Sequence, residues 1–392
     1  MGLTDGVEWG FWLVLTVWWI VELDLGPLEL VFMGTILEGS VLLAETPTGV
    51  VADLISRKRS IIIAQIVMGL GFIWAVASTN YWLILPAQAI SGVGWTFRSG
   101  ADVAWVTDEL KGLGQASDDD IERLLLRRHR FGIAFSVAMV SLAMVFGTLT
   151  SIRWAGVLFG VLQILCGVYF AVTMREDHFT PGRDEERGFR ETLREGVDAV
   201  RGTPRLRVLV GVIVLLYLGS EAFDRLGWKH FLDSTGVDDG SLIALGLLFI
   251  VLAFAGLLVN AAASRWLEGG KGVARLAVAL LLVAAVGGVI VALTNFVVVI
   301  AVGYMLQDST REALWPVLEG WANRDAPSEV RATVHSLMGQ VTSVGELFGG
   351  LALGALAEFT SLQVAILVAA LSIAGSAVLG TRGIDRSATP TG

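Results

Sequence analysis

Long apolar stretches recur along the chain with short polar stretches between them, and this pattern predicts membrane-spanning helices. A helix needs roughly 20 mainly apolar residues to cross a bilayer. Strands of a membrane barrel would instead be about 10 residues long and alternate with period two, and the run Leu245–Val259 shows no alternation. The predicted fold class is an all-α membrane protein with twelve transmembrane helices in two six-helix repeats. The predicted spans are 7–22, 27–55, 60–79, 81–107, 130–150, 152–174, 206–226, 241–265, 271–292, 295–319, 330–358 and 361–380.

The first stretch is the shortest of the twelve. Its apolar run covers only Trp9 to Val21, and Asp5 and Glu8 precede that run. A signal peptide typically begins with a basic region, and no basic region precedes this run. We expect either a short or bent first helix or a chain that begins inside that helix, and we favour the second.

Composition agrees with a membrane protein and excludes several other classes. Hydrophobic residues make up 54% of the 392 residues, charged residues 17%, and the mean hydropathy is +0.69. Soluble domains carry about 25% charged residues. The net charge of -9 argues against a nucleic-acid partner, and the single cysteine, Cys166, excludes an intramolecular disulfide. No nucleophile and base occur together, and no GK[ST] phosphate loop is present, so we expect neither an enzyme nor an ATP-driven pump.

Lysine and arginine are distributed unevenly between the two sides of the predicted membrane. Taking the loop after the second span as cytoplasmic places 23 of the 28 Lys and Arg residues on that side. Basic residues favour the cytoplasmic side of a bacterial inner membrane. We therefore predict a multi-pass protein of the bacterial plasma membrane with both termini in the cytoplasm.

The longest polar stretch divides the chain into two halves of six spans. Asp53 and Ser264 lie 211 residues apart in corresponding loops, while Gly94 and Gly303 lie 209 apart in corresponding spans. Near-equal offsets favour duplication of a six-helix unit, as in many secondary transporters. The predicted organisation is an N-terminal bundle at 1–174, a cytoplasmic linker at 175–205, a C-terminal bundle at 206–380 and a disordered tail at 381–392.

The linker contains apolar residues at helical spacing with charged residues between them. This pattern predicts an amphipathic helix on the membrane surface, and a solvated linker helix explains it equally well. The apolar positions are Phe189, Leu193, Val197 and Val200.

The loop after the second span resembles a signature of the major facilitator superfamily. That signature reads Gly, three residues, Asp, a basic residue, any residue, Gly, then two basic residues. Leu54 and Ser56 depart from it. The matching residues are Gly49, Asp53, Arg57 and Lys58. The resemblance implies the twelve-helix fold and assigns the matching residues to a cytoplasmic gate. Ordinary positive-inside anchors are the alternative.

Other phrases resemble bacterial drug-exporter-like members of that superfamily. They are Ser99–Trp105, Glu45–Gly49 and Arg331–Thr333. The Gly-Pro motif of many drug/proton antiporters is not found in the fifth span, because Phe131–Gly147 contains no proline. The missing motif argues against export, and against proton antiport in particular.

Ionisable residues within predicted spans are expensive and mark functional positions by default, at about 2.5–3.5 kcal/mol each on insertion scales. A carboxylate on a water-accessible path between the halves could take up and release a proton, and the candidates for this coupling are Glu38, Glu45, Asp102 and Glu346. Glu45 lies close to the cytoplasmic end of its span, so pairing with the gate loop explains it equally well. Arg98 and Asp102, four residues apart, are expected to neutralise each other on one helix. Candidates for ion pairs or gates are Arg98, Asp308, Arg311, Glu221 and Arg225, of which the last two also suit a plain surface pair near the outer end of their span.

Small-molecule sites combine an apolar lining with a few polar groups. Candidates for a substrate pocket are Trp95, Tyr304, Gln307 and Phe348, although helix packing explains the aromatic residues equally well.

The leading hypothesis is a secondary transporter working by alternating access. We expect proton-coupled export of amphipathic small molecules by a monomer in the lipid bilayer, with no cofactor besides the proton gradient. One alternative is a facilitator or importer of a small polar solute, favoured if Gln residues and ion pairs satisfy the polarity of the pocket. The other alternative is a non-transporting membrane receptor or scaffold.

Overall fold

The computed structural model describes residues 2–112, 118–179, 189–236, 240–268, 272–326 and 331–384. Most of the described residues are helical, and none of them forms a strand. The α-helices are α1 (Gly2–Val17), α2 (Pro27–Leu54), α3 (Arg57–Ala77), α4 (Tyr81–Arg98), α5 (Ala101–Gly112), α6 (Asp118–Leu149), α7 (Ile152–Thr173), α8 (Phe189–Gly202), α9 (Pro204–Ala222), α10 (Trp228–Thr235), α11 (Ser241–Glu268), α12 (Val273–Ala292), α13 (Val297–Asp325), α14 (Arg331–Phe359) and α15 (Leu362–Gly380).

Nine helices among the described residues are long and apolar enough to cross a membrane. Together with the composition they indicate a multi-pass membrane protein. Three predicted spans fall outside these nine, on α1, α4 and α13. Helix α1 has only 16 residues, while α4 and α13 carry charged and amide side chains. The count of twelve spans therefore stays a prediction.

Three helices depart from regular α geometry at places that hydropathy does not reveal. Helix α1 continues as a π-helical turn at Trp18–Glu22, and α9 is joined to α10 by another at Phe223–Gly227. The predicted span 81–107 is not one helix, because α4 ends at Arg98 and Gly100 adopts a positive φ of 76° before α5 begins. Residues that have a Cβ rarely adopt a backbone conformation with positive φ.

The described chain divides into two compact units. Unit 1 comprises Met1–Leu25, Met33–Glu185 and Val237–Ile250, and unit 2 comprises Gly26–Phe32, Glu186–Gly236 and Val251–Gly392. Each unit therefore includes a short segment from the other half of the sequence.

The order of helix packing in unit 1 is repeated in unit 2. In unit 1, α1 packs against α6 and α7, and α3 packs against α4 and α7. In unit 2, α9 packs against α14 and α15, and α12 packs against α13 and α15. The same neighbour relations recur with a shift of six spans, as the near-equal sequence offsets predict.

Parts of the linker and of the tail pack against helices of unit 2. Helix α8 occupies the predicted amphipathic stretch and packs against α9 and α14, with Val200 buried. The tail is not wholly disordered as predicted, because Thr381–Gly383 forms a 3₁₀ turn in which Gly383 packs on Trp321. Residues 385–392 lie outside the described chain.

Candidate functional site

A cluster of charges lies within unit 1, and we call it the Arg98 cluster. The Arg98 guanidinium binds the Glu8 carboxylate through two contacts of 2.6 and 2.8 Å. A third carboxylate oxygen, Oδ1 of Asp5, lies 3.3 Å away. Two parallel N–H···O bonds are the strong geometry for this pair of groups.

Buried amides complete this ion pair. Gln163 is fully buried on α7 and donates one hydrogen bond of 3.0 Å to Glu8 and another of 2.7 Å to Gln65. A buried charge is stable only when it is paired and hydrogen-bonded. The Arg98 cluster meets that requirement, which gives it the character of a structural element.

The predicted neutralisation of Arg98 by Asp102 is wrong. Because the helix breaks at Gly100, Asp102 belongs to α5 and pairs instead with Arg128 of α6 at 2.5 Å. Arg98 turns toward α1.

A second cluster lies in unit 2, and we call it the Arg311 cluster. The Arg311 guanidinium on α13 lies 2.8 Å from Asp224 and 3.0 Å from Asp308. Glu312 is exposed, and its electrostatic neighbours include Asp308, Arg311 and Asp224. Three described carboxylates therefore lie near this one guanidinium. Their negative charge exceeds its positive charge, so the cluster can accept a further positive group or a proton.

The π-helical turn after α9 sets the position of Asp224. Glu221 precedes this turn and Arg225 lies within it, and the two side chains pair at 2.9 Å. Both side chains are largely buried, so the prediction of a plain surface pair is wrong.

Two predicted pocket residues occupy packed positions instead. Tyr304 is fully buried, stacks on Trp228 with ring centroids 4.2 Å apart, and donates a hydrogen bond of 2.9 Å to the Phe223 carbonyl. Gln307 is also fully buried. Neither has side-chain surface to offer an open pocket, and Tyr304 instead supports the π-helical turn.

Aromatic residues border the Arg311 cluster. Tyr217 on α9 and Trp315 on α13 make an edge-to-face contact at 6.2 Å. Tyr217 interacts electrostatically with Glu346, Arg311 and Asp224. The resulting face of unit 2 combines charges of both signs with two aromatic rings, which suits recognition of a polar molecule.

The other predicted coupling and pocket residues have varied surroundings. Glu38 and Glu346 are half-buried, each with a polar or electrostatic interaction, while Glu45 is exposed. Trp95 is 41% exposed and Phe348 62% exposed. Their roles stay predictions.

The predicted gate residues make their described contacts inside unit 1. Arg57 pairs with Asp108 of α5 and lies 3.9 Å from the exposed Asp53. The Lys58 ammonium donates a hydrogen bond of 2.7 Å to the Met174 carbonyl after α7. Gly49 lies beside open space. The structure thus gives the two basic residues a role in holding α3, α5 and the end of α7 together.

No family model and no curated protein matches the chain. Solved structures of transporters match it over nearly its whole length. A mutant of the nucleoside transporter NupG has a TM-score of 0.81 at 14% identity, covering 98% of each chain. A mutant of the peptide transporter POT has a TM-score of 0.73 at 14% identity, covering 98% of this chain and 94% of that chain.

A bacterial homolog of the human lysosomal transporter Spinster, inward-facing and unoccupied, has a TM-score of 0.67 at 14% identity, covering 97% of this chain and 93% of that chain. The chain has the fold of these transporters. At this level of identity the likeness shows the fold alone, so the superfamily and the drug-exporter subtype expected from the sequence stay predictions.

Sequence reasoning did not select several residues that the structure brings together. Asp308, Arg311 and Glu312 lie together in one span of the sequence, but nothing in the sequence identified Asp224, from another span, as a partner of Arg311. Glu8 lay before the first apolar run. An amide side chain within an apolar span, such as Gln163, was the one sign in the sequence that a charged group of another span packs against it.

Proposed function

We propose that this protein is a secondary transporter that carries a small polar solute by alternating access. The observation that carries the proposal is the Arg311 cluster, a partly exposed set of charged and aromatic side chains in a transporter fold. Such a set offers hydrogen bonds and stacking but little continuous apolar surface. Transport needs no cofactor in this proposal.

The arrangement of polar groups favours a polar solute over an amphipathic one. Arg98 is paired with Glu8, to which Gln163 also donates, and Arg311 is paired with two carboxylates. A site built for hydrogen bonding discriminates strongly against molecules that leave its groups unpaired.

Proton coupling is a further part of the proposal. The three carboxylates around Arg311 outnumber its guanidinium, so the cluster carries a net negative charge. Uptake of one proton by the third carboxylate reduces that charge and leaves the two ion pairs of Arg311 in place. Glu312, the exposed member, is the group we assign to this role. Glu38, Glu45, Asp102 and Glu346 remain alternative coupling residues.

Export of an amphipathic molecule is the second candidate. The observation that favours it is the 62% exposure of Phe348, two residues from Glu346 on α14. An aromatic ring beside a carboxylate suits a molecule with an apolar body and a cationic group.

In its proposed setting the protein lies in a bacterial plasma membrane as a monomer, with both termini in the cytoplasm. Gly49, Asp53, Arg57 and Lys58 serve the cytoplasmic gate. The two six-helix bundles, at 1–174 and 206–380, are the bodies that alternate access.

The test is transport by the purified protein in liposomes with an imposed pH gradient and a lumenal pH dye. Nucleosides, dipeptides and sugars represent polar solutes, and lipophilic cations represent amphipathic ones. Asp224→Asn weakens a hydrogen bond to a charged group, worth about 1.5–3 kcal/mol. We expect polar-solute transport to fall at least about tenfold in this variant, since 1.4 kcal/mol is a factor of ten.

The matched control is Glu358→Gln, which neutralises an exposed carboxylate on α14 and should leave transport unchanged. In Glu312→Gln we expect solute movement to continue without proton flux. Full transport by Asp224→Asn would remove the Arg311 cluster from the mechanism. Movement of lipophilic cations alone would replace the leading proposal with the second candidate, and movement of no solute in the panel would favour the receptor alternative.

A further inference from the structure

Helix α5 is a short helix held separately from the one before it. It begins after the break at Gly100, whose φ is 76°, and ends at Gly112. Near its first turn Asp102 pairs with Arg128 of α6. Farther along, Asp108 pairs with Arg57 at the start of α3.

The six residues that follow α7 lie against α3 and α5, and we call Met174–Phe179 the strap. The Glu176 carboxylate accepts hydrogen bonds from the Lys58 backbone at 2.8 Å and from the Ser56 hydroxyl at 2.5 Å. Ser56 is the N-cap of α3, so Glu176 satisfies free donors at the start of that helix. This end of the strap is fixed on α3.

The other end of the strap holds the far end of α5. His178 donates its backbone N–H to Glu109 at 2.9 Å, and its ring nitrogen Nδ1 lies 3.1 Å from the same carboxylate. The Trp105 indole donates to the Arg175 carbonyl at 2.8 Å. A Cβ on Gly112 would collide with the His178 ring, so glycine there makes room for the contact.

The geometry points to α5 as a latched helix: Gly100 is its hinge, and Glu109 is the point where the strap holds it. The strap lies at the start of the linker between the two halves of the sequence. A displacement of the linker would therefore first change the contacts of α5 and then those of the Asp102–Arg128 pair. Release of Glu109 is thus a conformational step built into unit 1. It does not depend on which solute the protein carries.

The surroundings of Glu109 agree with a formed latch. Partial burial raises the pKa of Glu109, but hydrogen bonds from the His178 backbone and ring lower it by more, so the pKa lies below its ordinary value. The carboxylate is thus ionised at neutral pH and available as an acceptor for both donors.

Hydrogen exchange of the full chain in nanodiscs, followed by mass spectrometry, tests the latch without any ligand. In Glu109→Gln we expect the amides of 101–112 to exchange about ten times faster, with α1 and α7 unchanged. His178→Ala keeps the backbone donor, so its effect should be smaller. The double variant should exchange no faster than Glu109→Gln alone, because both side chains act through one contact.

The matched control is Thr107→Ser on the same helix, because either hydroxyl can donate to the Val103 carbonyl. It should exchange at the wild-type rate. Unchanged exchange of α5 in Glu109→Gln would overturn the inference, as would faster exchange throughout unit 1 or additive effects in the double variant. If Glu109→Gln does not fold, His178→Ala alone must accelerate α5, and its failure to do so would be equally decisive.

Discussion

Arg98 and Arg311 are both half-buried, and their surroundings determine the role of each. Arg98 contacts both oxygens of the buried Glu8 carboxylate, and the Gln163 amide donates a further hydrogen bond to one of them. Arg311 faces Asp224, whose side chain is 31% exposed, and an exposed Glu312 nearby. The first arrangement suits a structural element, whereas the proposed function assigns the second to binding a solute or a proton.

Glu8→Gln is predicted to destabilise the protein strongly. The change leaves Arg98 buried and incompletely paired, and breaking one side of a buried pair costs about 3–5 kcal/mol. Chemical unfolding in detergent measures the loss. Glu8→Gln combined with Arg98→Gln should recover more than half of it, because no uncompensated charge then remains.

An exposed ion pair serves as the comparison for that measurement. Arg194 and Asp198 lie 4.0 Å apart with side chains 85% and 62% exposed. Such pairs contribute about 0–1 kcal/mol, so Asp198→Asn should change stability little. Equal losses in Glu8→Gln and Asp198→Asn would show that the Arg98 cluster is not a structural element.

At this scale the sequence reveals which charges lie in spans but not which of them meet. Arg98 and Asp102 look like partners at helical spacing, and a single positive φ at Gly100 separates them. Asp224 reaches Arg311 by way of a π-helical turn, which hydrophobic periodicity does not reveal. Partners from distant parts of the chain depend on helix packing, which one sequence does not specify.

At the scale of helices, paired glycines set the closest crossings. A Cβ on Gly69 of α3 would lie 2.7 Å from the Gly160 carbonyl of α7, and one on Gly160 would lie 2.8 Å from the Gly69 carbonyl. Gly287 and Gly303 make the equivalent contact between α12 and α13. Small residues let membrane helices approach closely where packing drives association.

Gly160→Ala is predicted to loosen the crossing of α3 and α7. The added methyl group meets backbone atoms, which cannot move aside as a flexible side chain would, and overpacking costs about 1–3 kcal/mol. Thermal unfolding in detergent should show the loss. Gly339→Ala on α14 is the control, because a Cβ there meets nothing within 4 Å and should leave stability equal or slightly higher.

The first and last residues of several helices were predicted closely from the sequence. Span 152–174 compares with α7 at Ile152–Thr173, and span 361–380 with α15 at Leu362–Gly380. Apolar length and flanking polar residues determine these limits. The break between α4 and α5 escapes the same reasoning, because apolar residues continue past Gly100 and only its backbone conformation ends the helix.

At the scale of the whole molecule, the repeated packing order and the distribution of basic residues are separate consequences of the sequence. The repeat appears in the neighbours of α1 and α9. Orientation rests on the 23 of 28 Lys and Arg residues assigned to one side. The repeat describes the fold, while the charge distribution predicts how the fold lies in the membrane.

Both termini are predicted to be cytoplasmic. A green fluorescent protein fused after Gly392 should fluoresce in bacterial cells, since it folds poorly when exported through the general secretion route. An alkaline phosphatase fused at the same point should be inactive, because it needs the oxidising periplasm. The reverse pair of results would invert the predicted orientation.

The exchange of short segments between the two units has a consequence for how the protein is made. Unit 1 includes Val237–Ile250, which the ribosome reaches only after Glu186–Gly236 of unit 2. Domains generally fold from the N-terminus during synthesis, but here the first unit has to wait, unfinished, while part of the second emerges. We therefore expect a pause in translation before Val237 to leave unit 1 without its last segment.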